Sequence, residues 1–297
     1  MTQPIHGVAV DAGSGLAAAI RATRGKDSRP DDLMTFKRAV LTTLGSTATT
    51  VLVDAECGPD LIADYPPGCA PMMAYEADVY HISSADRITV VPPHLTVADF
   101  PRLGVRQLKF FMYYAPDDDP DLNARKQQLV AEVGADCQAQ GVTFLMEPLV
   151  YHPIHQSGTA EFADLKPDLV RRSVATFAAP RFHIDLLKIE VPVDLGFVEG
   201  FGLAQRSRGE ALTTFRDASA AAGDTPIVFL SAGVSFDWFE ASLVMAGEAG
   251  ADFKGFMCGR AIWSDAIPVF GQKGETALTD WLAETGQSRL KRLIATL

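Results

Sequence analysis

Two lysines could support covalent chemistry on a carbonyl group. Lys188 lies in the apolar segment HIDLLKIEVPV, between Leu187 and Ile189. Apolar surroundings disfavour an ammonium ion and lower the pKa of a lysine, and a neutral amine attacks carbonyl carbons. In an alternative interpretation, which spacing alone supports as well, the Lys188 stem lies along apolar surface and its ammonium pairs with a carboxylate such as Glu190.

The second lysine and two acidic residues favour the chemical interpretation. Lys109 lies within LKFFMYY, Glu147 follows VTFLM and Asp11 follows GVAV. Two ammonium ions in one cavity repel each other, so one lysine is expected to act as the nucleophile while the other stays charged. Glu147 could transfer protons through carbinolamine and iminium steps, or form a structural salt bridge to a lysine. Asp11 could contact a substrate hydroxyl or accept a proton during bond cleavage, or simply cap a helix.

The last third of the chain contains a candidate phosphate site. Ser231-Ala232-Gly233 follows the run IVFL, and Gly259-Arg260 follows GFMC. Backbone N–H groups of glycine-containing loops and the planar guanidinium of an arginine both suit phosphate oxygens. In the alternative interpretation the glycines only turn the chain and Arg260 pairs with an acidic neighbour.

Eight short apolar runs would position these residues. Such runs, separated by segments with helical spacing, are typical of parallel strands joined by helices, and eight of them fit a closed (β/α)₈ TIM barrel. A doubly wound open sheet is the alternative, but the chain has neither a GxGxxG nor a GxxxxGK[ST] loop. We predict a single domain over residues 1–297, with helices near 32–45, 121–140, 167–178, 208–222, 235–250 and 274–285. The predicted strands are Gly7–Val10, Thr50–Asp54, Pro71–Tyr75, Leu108–Tyr113, Val142–Glu147, Ile184–Ile189, Ile227–Leu230 and Gly255–Cys258.

Composition narrows the class of protein. The net charge is −11 and there is no basic tract, so nucleic acid is not an expected partner. Neither a leader nor an apolar stretch of membrane-spanning length is recognisable, which predicts a cytoplasmic protein without a membrane partner. The four cysteines form no CxxC pair and are expected to be reduced thiols. Barrels of this size often associate, so we expect a homo-oligomer.

One stretch of chain raises two further possibilities. The segment His152–Lys166 is predicted to be an irregular loop and a candidate lid over the site. Its His152-Pro-Ile-His155 motif could suggest a zinc-dependent aldolase, but Pro153 prevents helical presentation of the two rings and no acidic residue lies between them. No metal and no cofactor are therefore expected.

Taken together, these segments resemble the tagatose 1,6-bisphosphate aldolases, which are class I barrel aldolases, and the related sulfofructosephosphate aldolases. The resemblance covers most of the chain and rests on DLLKIEVPVDLGFVEGF, LKFFMYY, FLSAGVS and GFMCGRAIW, supported by TVLVDAECGPDL, FLMEPLVY and LKPDLVRRSVATF.

The resemblance implies a role for each candidate residue. Lys188 would form the Schiff base, Glu147 would be the acid and base, and Lys109 would be a charged partner near the carbonyl. Asp11 would contact the substrate by the bond being broken. The C1 phosphate would be held by a loop set comprising Ser231, Ala232, Gly233, Gly259 and Arg260. The chain departs from the family after Asp11, where Ala12-Gly13-Ser14 replaces the usual Gln-Arg, so the substituent at C6 of the substrate stays open.

The predicted activity is retro-aldol cleavage of a phosphorylated ketose, such as tagatose or fructose 1,6-bisphosphate, to dihydroxyacetone phosphate and an aldehyde. Cleavage of sulfofructose 1-phosphate to sulfolactaldehyde is an alternative within the same chemistry. Two other classes stay open. One is a sugar-phosphate-binding sensor without turnover, and the other is a barrel isomerase or lyase that uses Glu147 alone as a base.

Overall fold

Eight parallel strands close into a barrel in the computed structural model, which describes residues 3–297 apart from the side chain of Tyr80. Each strand pairs with its sequence neighbours, and β1 closes the ring against β8. This arrangement is a TIM barrel, as predicted, and the open-sheet alternative is wrong. The strands are β1 Ile5–Ala9, β2 Thr50–Val53, β3 Ala70–Ala74, β4 Gln107–Tyr114, β5 Thr143–Val150, β6 Leu186–Glu190, β7 Ile227–Leu230 and β8 Gly255–Cys258.

All eight predicted runs coincide with strands, because each combines β-branched or aromatic residues with burial on both faces. The largest difference is at β4 and β5, which run side by side over eight residues, from the pair Gln107 and Thr143 to the pair Tyr114 and Val150. Glu147 therefore lies within β5, three residues before its end, whereas the sequence predicted it as the last strand residue.

Helices surround the barrel, and each of the six predicted helices is present. The α-helices are α1 Ser14–Arg24, α2 Asp32–Leu44, α3 Gly58–Leu61, α4 Asp99–Arg102, α5 Pro120–Gln140, α6 Ala160–Phe177, α7 Arg208–Ala220, α8 Phe236–Glu248, α9 Arg260–Trp263, α10 Ala266–Trp281 and α11 Gln287–Ile294. A π-helical turn, Leu282–Gly286, joins the last two, and 3₁₀ turns occupy Gly25–Asp27, Ile62–Asp64, Val79–His81, Pro180–Phe182 and Leu195–Phe197.

The predicted start of α6 is wrong. The helix begins at Ala160 rather than at 167, and the side chain of Thr159 caps it by accepting a hydrogen bond from the Phe162 amide. Pro167 lies inside the helix, where it removes one backbone hydrogen bond without ending the helix. The irregular segment is consequently shorter than predicted and ends before Ala160.

The core has two layers. A large layer packs the outward faces of the strands against the helices, with Phe110, Phe229 and Phe256 among its members. A smaller layer fills the barrel interior and consists of Ala9, Leu52, Met72, Ala74, Leu145, Leu186, Val228 and Met257. Because side chains alternate along a strand, the residues two positions further on also point inward, at the carboxyl-terminal mouth of the barrel.

Two further expectations can be compared with the fold. All four cysteines are free, as predicted, and all four are buried. Within residues 3–297, no helix is long and apolar enough to cross a membrane.

Candidate active site

The strand period places the candidate catalytic side chains at the barrel mouth. Lys188 follows the interior residue Leu186 by two positions, and Glu147 follows Leu145 in the same way. The same relation on β1 places Asp11 after Ala9. Interior packing below the mouth is apolar, so the first inward polar position on each strand meets the cavity.

One cavity of about 320 Å³ lies at this mouth. Every residue predicted from the sequence as part of the site contributes to its wall, namely Asp11, Lys109, Glu147, Lys188, Ser231, Ala232, Gly233, Gly259 and Arg260. Six different strands and the loops after them thus deliver these residues to one place.

A buried cluster joins both lysines through one glutamate. Glu147 Oε2 lies 2.9 Å from Lys188 Nζ and 2.9 Å from Lys109 Nζ. Lys109 also donates to Asp11 Oδ2 at 3.0 Å and to Glu76 Oε1. The predicted proximity of the two lysines to the fifth-strand glutamate is therefore present in the structure.

The surroundings of the two lysines differ. Among the described residues, Lys109 contacts three carboxylates, whereas Lys188 contacts Glu147 alone. Burial disfavours the Lys109 ammonium, but attraction to Asp11, Glu147 and Glu76 outweighs that cost and raises the pKa of Lys109 well above its usual value. Lys109 is therefore held as a permanent cation, so Lys188, which contacts a single carboxylate, is the candidate for the nucleophilic amine.

Asp11 is a carboxylate held in its charged form. Burial alone raises a carboxyl pKa, yet the attraction of Lys109 and Lys188 reverses the effect and holds the pKa of Asp11 below its usual range. Helix α1 begins at Ser14, and its N-cap residue is Gly13, so the interpretation of Asp11 as an N-cap is wrong.

The alternative pairing of Lys188 with Glu190 is also wrong. Glu190 accepts a hydrogen bond from the Val150 amide at 2.7 Å and lies 3.7 Å from Lys166 Nζ. It does not line the cavity. Glu190 lies two positions after Lys188 on the same strand, but its carboxylate is held by the Val150 amide and Lys166 and not by Lys188.

Glu76 is a member of the cluster that the sequence analysis missed. It follows the interior residue Ala74 by two positions, the relation that also places Glu147, so the pattern could have identified it. Burial raises the pKa of Glu76 to about 7, although Lys109 opposes the shift. Its Oε2 is buried and has no hydrogen-bond partner among the described residues.

This raised pKa predicts a pH-dependent stability. The folded chain binds more protons than the unfolded chain between roughly pH 4.5 and 7, so the free energy of unfolding should fall as pH rises through that window. The expected contribution of Glu76 is about 3 kcal/mol. Urea unfolding at pH 5 and pH 8 should show this difference in the parent and lose most of it in Glu76→Gln. The exposed change Glu132→Gln should retain it, and an unchanged pH dependence in Glu76→Gln would contradict the assignment.

The phosphate candidates lie together at the β7 and β8 side of the mouth. The backbone turns through positive φ at Ala232 (48°) and Gly233 (79°). The Arg260 guanidinium packs so closely on Gly233 that a Cβ there would lie 3.0 Å from Arg260 Cζ. Within residues 3–297 Arg260 forms no salt bridge, so the interpretation in which it pairs with an acidic neighbour is wrong.

The thiol of Cys258 lines the same cavity near Lys188. Burial raises the pKa of this thiol, which keeps it protonated and a poor nucleophile.

Asp54, which directly follows β2, accepts hydrogen bonds from the buried Lys37 and from the amides of Glu56 and Cys57. It serves as an anchor for the loop after β2.

The predicted lid does not reach the cavity. None of residues 152–166 lines it, whereas the connection after β3 contributes Ala77, Asp78 and Val79. The rings of His152 and His155 lie 4.8 Å apart. In the described part of the chain, no group of three or more His, Cys, Asp or Glu side chains is arranged to hold a metal ion.

The chain is similar in sequence to known aldolases. The model of the DeoC/LacD family aldolases matches residues 6–265. The tagatose 1,6-diphosphate aldolase of Staphylococcus aureus is 36% identical over 242 residues, which are 80% of this chain and 74% of that protein.

Solved structures share the fold at low identity. An archaeal fructose-1,6-bisphosphate aldolase, whose catalytic lysine is bound to a carbinolamine intermediate, is 12% identical with a TM-score of 0.58, and the match covers 97% of this chain and 92% of that one. A fructose-bisphosphate aldolase from Slackia heliotrinireducens is 14% identical with a TM-score of 0.61, covering 96% of this chain and 84% of that one.

Proposed function

Because the chain belongs to the DeoC/LacD family of aldolases, which are carbon–carbon lyases, we propose that it cleaves a ketose 1-phosphate through a Schiff base on Lys188. The products are dihydroxyacetone phosphate and an aldehyde. The observation that carries this proposal is the position of Lys188 in the cavity wall, 2.9 Å from Glu147 and beside a second lysine that stays charged.

The covalent step begins when Glu147 accepts a proton from Lys188 and frees its amine. The amine nitrogen attacks the C2 carbonyl carbon, and the proton that this nitrogen then loses passes to the former carbonyl oxygen to give a neutral carbinolamine. Glu147, now protonated, returns its proton to the departing hydroxyl, so water leaves and an iminium ion forms. Lys109 sits beside the same carboxylate as a fixed cation and stabilises the negative charge that develops on substrate oxygens.

Bond cleavage follows from the iminium ion. The C4 hydroxyl loses its proton, the C3–C4 electron pair moves into the iminium system, and the aldehyde departs. Asp11, held ionised by Lys109, is the acceptor or orienting group for that hydroxyl. The resulting enamine gains a proton at C3, and water hydrolyses the Schiff base to release dihydroxyacetone phosphate and the free amine.

The phosphate on C1 is assigned to the β7 and β8 loops. Arg260 provides the cation, Ser231 a hydroxyl, and Ala232, Gly233 and Gly259 backbone at the cavity wall. Lys188 lies next to this phosphate site because its strand, β6, pairs with β7. A phosphate held there positions C2 of the sugar for attack by the neighbouring lysine.

Borohydride trapping tests the proposal directly. The protein is incubated with dihydroxyacetone phosphate and sodium borohydride, digested, and mapped by mass spectrometry. We expect a stable adduct on Lys188. An unmodified chain under conditions that trap a control aldolase would favour the isomerase interpretation, and an adduct without any cleavage would favour the sensor.

Replacing Arg260 with alanine should weaken phosphate binding selectively. Charge-assisted contacts between guanidinium and phosphate predict a rise in KM of roughly 10- to 100-fold, with a smaller change in kcat. Steady-state kinetics with fructose 1-phosphate provide the measurement. Arg216→Ala, on exposed α7, is the matched control and should behave like the parent. Equal KM values for the parent and Arg260→Ala would contradict this assignment.

A further inference from the structure

The charges that line the cavity leave room for a single anionic group. Six carboxyl groups and three cationic groups contribute to its wall: Asp11, Asp54, Glu56, Glu76, Asp78 and Glu147 against Lys109, Lys188 and Arg260. Both lysines are already in contact with carboxylates. Of the cations in the cavity wall, Arg260 alone lacks a carboxylate partner within residues 3–297.

The far side of the mouth is acidic. In the closed order of eight strands, β2 and β3 lie opposite β6 and β7. The loops after β2 and β3 bring Glu56 and Asp78 to the cavity wall. A ketose bound with its phosphate at Arg260 and C2 at Lys188 directs its remaining carbons away from Arg260, toward these carboxylates.

The protein's own carboxylate fills the anion site at the start of α1. Asp78 Oδ2 accepts a hydrogen bond from the Ser14 amide at 2.6 Å. Gly13 gives this carboxylate its space, because a Cβ there would lie 2.7 Å from Asp78 Oδ2. The amides at a helix N-terminus are the usual backbone site for a phosphate, and here a side chain already occupies the first of them, that of Ser14.

Glu76 presents an acceptor to the same region. Its Oε2 is buried in the cavity wall and has no hydrogen-bond partner among the described residues. When Glu76 is ionised, a sugar hydroxyl can donate to this oxygen, whereas an ionised phosphate or sulfonate offers only acceptors. The unsatisfied atom therefore matches a hydroxylated, uncharged group.

From these observations we infer that the substrate is a ketose monophosphate, phosphorylated at C1 and uncharged beyond C4, and that the aldehyde product is a neutral hydroxyaldehyde. The inference rests on the proposed function. Glu56 and Asp78 determine the specificity by repelling a second phosphate or a sulfonate, and Glu76 accepts a hydrogen bond from a substrate hydroxyl.

Condensation of dihydroxyacetone phosphate with a panel of aldehydes tests the inference. The panel contains glyceraldehyde, glyceraldehyde 3-phosphate and sulfolactaldehyde, and the value compared is kcat/KM for each aldehyde. We expect glyceraldehyde to be preferred by roughly 10-fold or more over both anionic aldehydes at low salt, with the preference decreasing as salt is added. Equal or better use of either anionic aldehyde would overturn the inference.

Borohydride trapping distinguishes failure of the specificity inference from failure of the proposed function. Dihydroxyacetone phosphate alone forms the adduct on Lys188, so aldehyde specificity does not enter that experiment. An intact adduct with preference for an anionic aldehyde refutes only the specificity. Loss of both the adduct and all condensation refutes the two proposals together.

A neutralising variant tests the role of the carboxylate. In Asp78→Asn the amide oxygen can still accept from the Ser14 amide, so the start of α1 is preserved. We expect the ratio of kcat/KM for glyceraldehyde 3-phosphate to that for glyceraldehyde to rise by roughly threefold or more. Asp60→Asn, an exposed change on α3 outside the cavity, should leave the ratio unchanged. Identical ratios in the parent and Asp78→Asn would show that Asp78 does not contribute to the specificity.

Discussion

Replacing Lys188 with methionine should abolish both cleavage and adduct formation. The variant keeps most of the side-chain volume but has no amine, so neither the carbinolamine nor the iminium ion can form. A loss in kcat of on the order of 10⁴-fold or more is expected, because no other group supplies the covalent path. The fold should survive, since Glu147 keeps its contact with Lys109.

The measurement combines steady-state kinetics with borohydride trapping of the same preparation. Lys126→Met is a matched control, because Lys126 is fully buried and bonded to Tyr151 but does not line the cavity. It should retain the adduct and most of the activity in a preparation that circular dichroism shows to be folded. Activity in Lys188→Met within tenfold of the parent would show that the reaction does not pass through this amine.

Replacing Glu147 with glutamine should lower kcat by roughly 10²- to 10⁴-fold, the usual contribution of a positioned acid and base. Glutamine has the same shape but cannot accept a proton from Lys188 or return one to the leaving hydroxyl. Trapping should still modify Lys188, but more slowly, because the amine itself is present. Glu147→Asp should recover part of the activity, since its carboxylate survives at a greater distance from Lys188.

Glu190→Gln is the control for Glu147. Both are buried glutamates on the adjacent strands β5 and β6, yet Glu190 contacts Lys166 and lies outside the cavity. We expect its activity to stay within a few-fold of the parent, whatever the cost in stability. Equal losses of activity in the two glutamine variants would indicate that Glu147 acts through the fold and not through proton transfer.

The strand pattern explains why most of the site could be predicted from the sequence. Apolar runs identified the eight strands, and inward-facing polar residues at or just after the carboxyl ends of such runs are expected at the mouth of a barrel. Lys109, Glu147 and Asp11 could be found by this rule, and the same rule extended to β3 would have found Glu76. The resemblance to a family supplied the expected reaction, and the family comparison supports it.

Local patterns failed where a distant contact decides the outcome. The sequence predicted a helix from residue 167, but the cap at Thr159 starts α6 at Ala160, and the helix continues through Pro167. The predicted lid after β5 does not line the cavity, and the connection after β3 does. The periodicity of the sequence does not show which loop folds toward the cavity. The position of a loop depends on contacts between residues far apart in the chain, such as the one between Asp78 and Ser14.

The sequence by itself determined the eight strands, the barrel class and the candidate site residues that line one cavity, because alternation along a strand and apolar burial are local properties. Only the tertiary structure decided which lysine stays charged. That outcome depends on three carboxylates from β1, β3 and β5 meeting around Lys109 while one of them also contacts Lys188. Electrostatic energy depends on distances in space, and the barrel brings together charges that lie far apart along the chain.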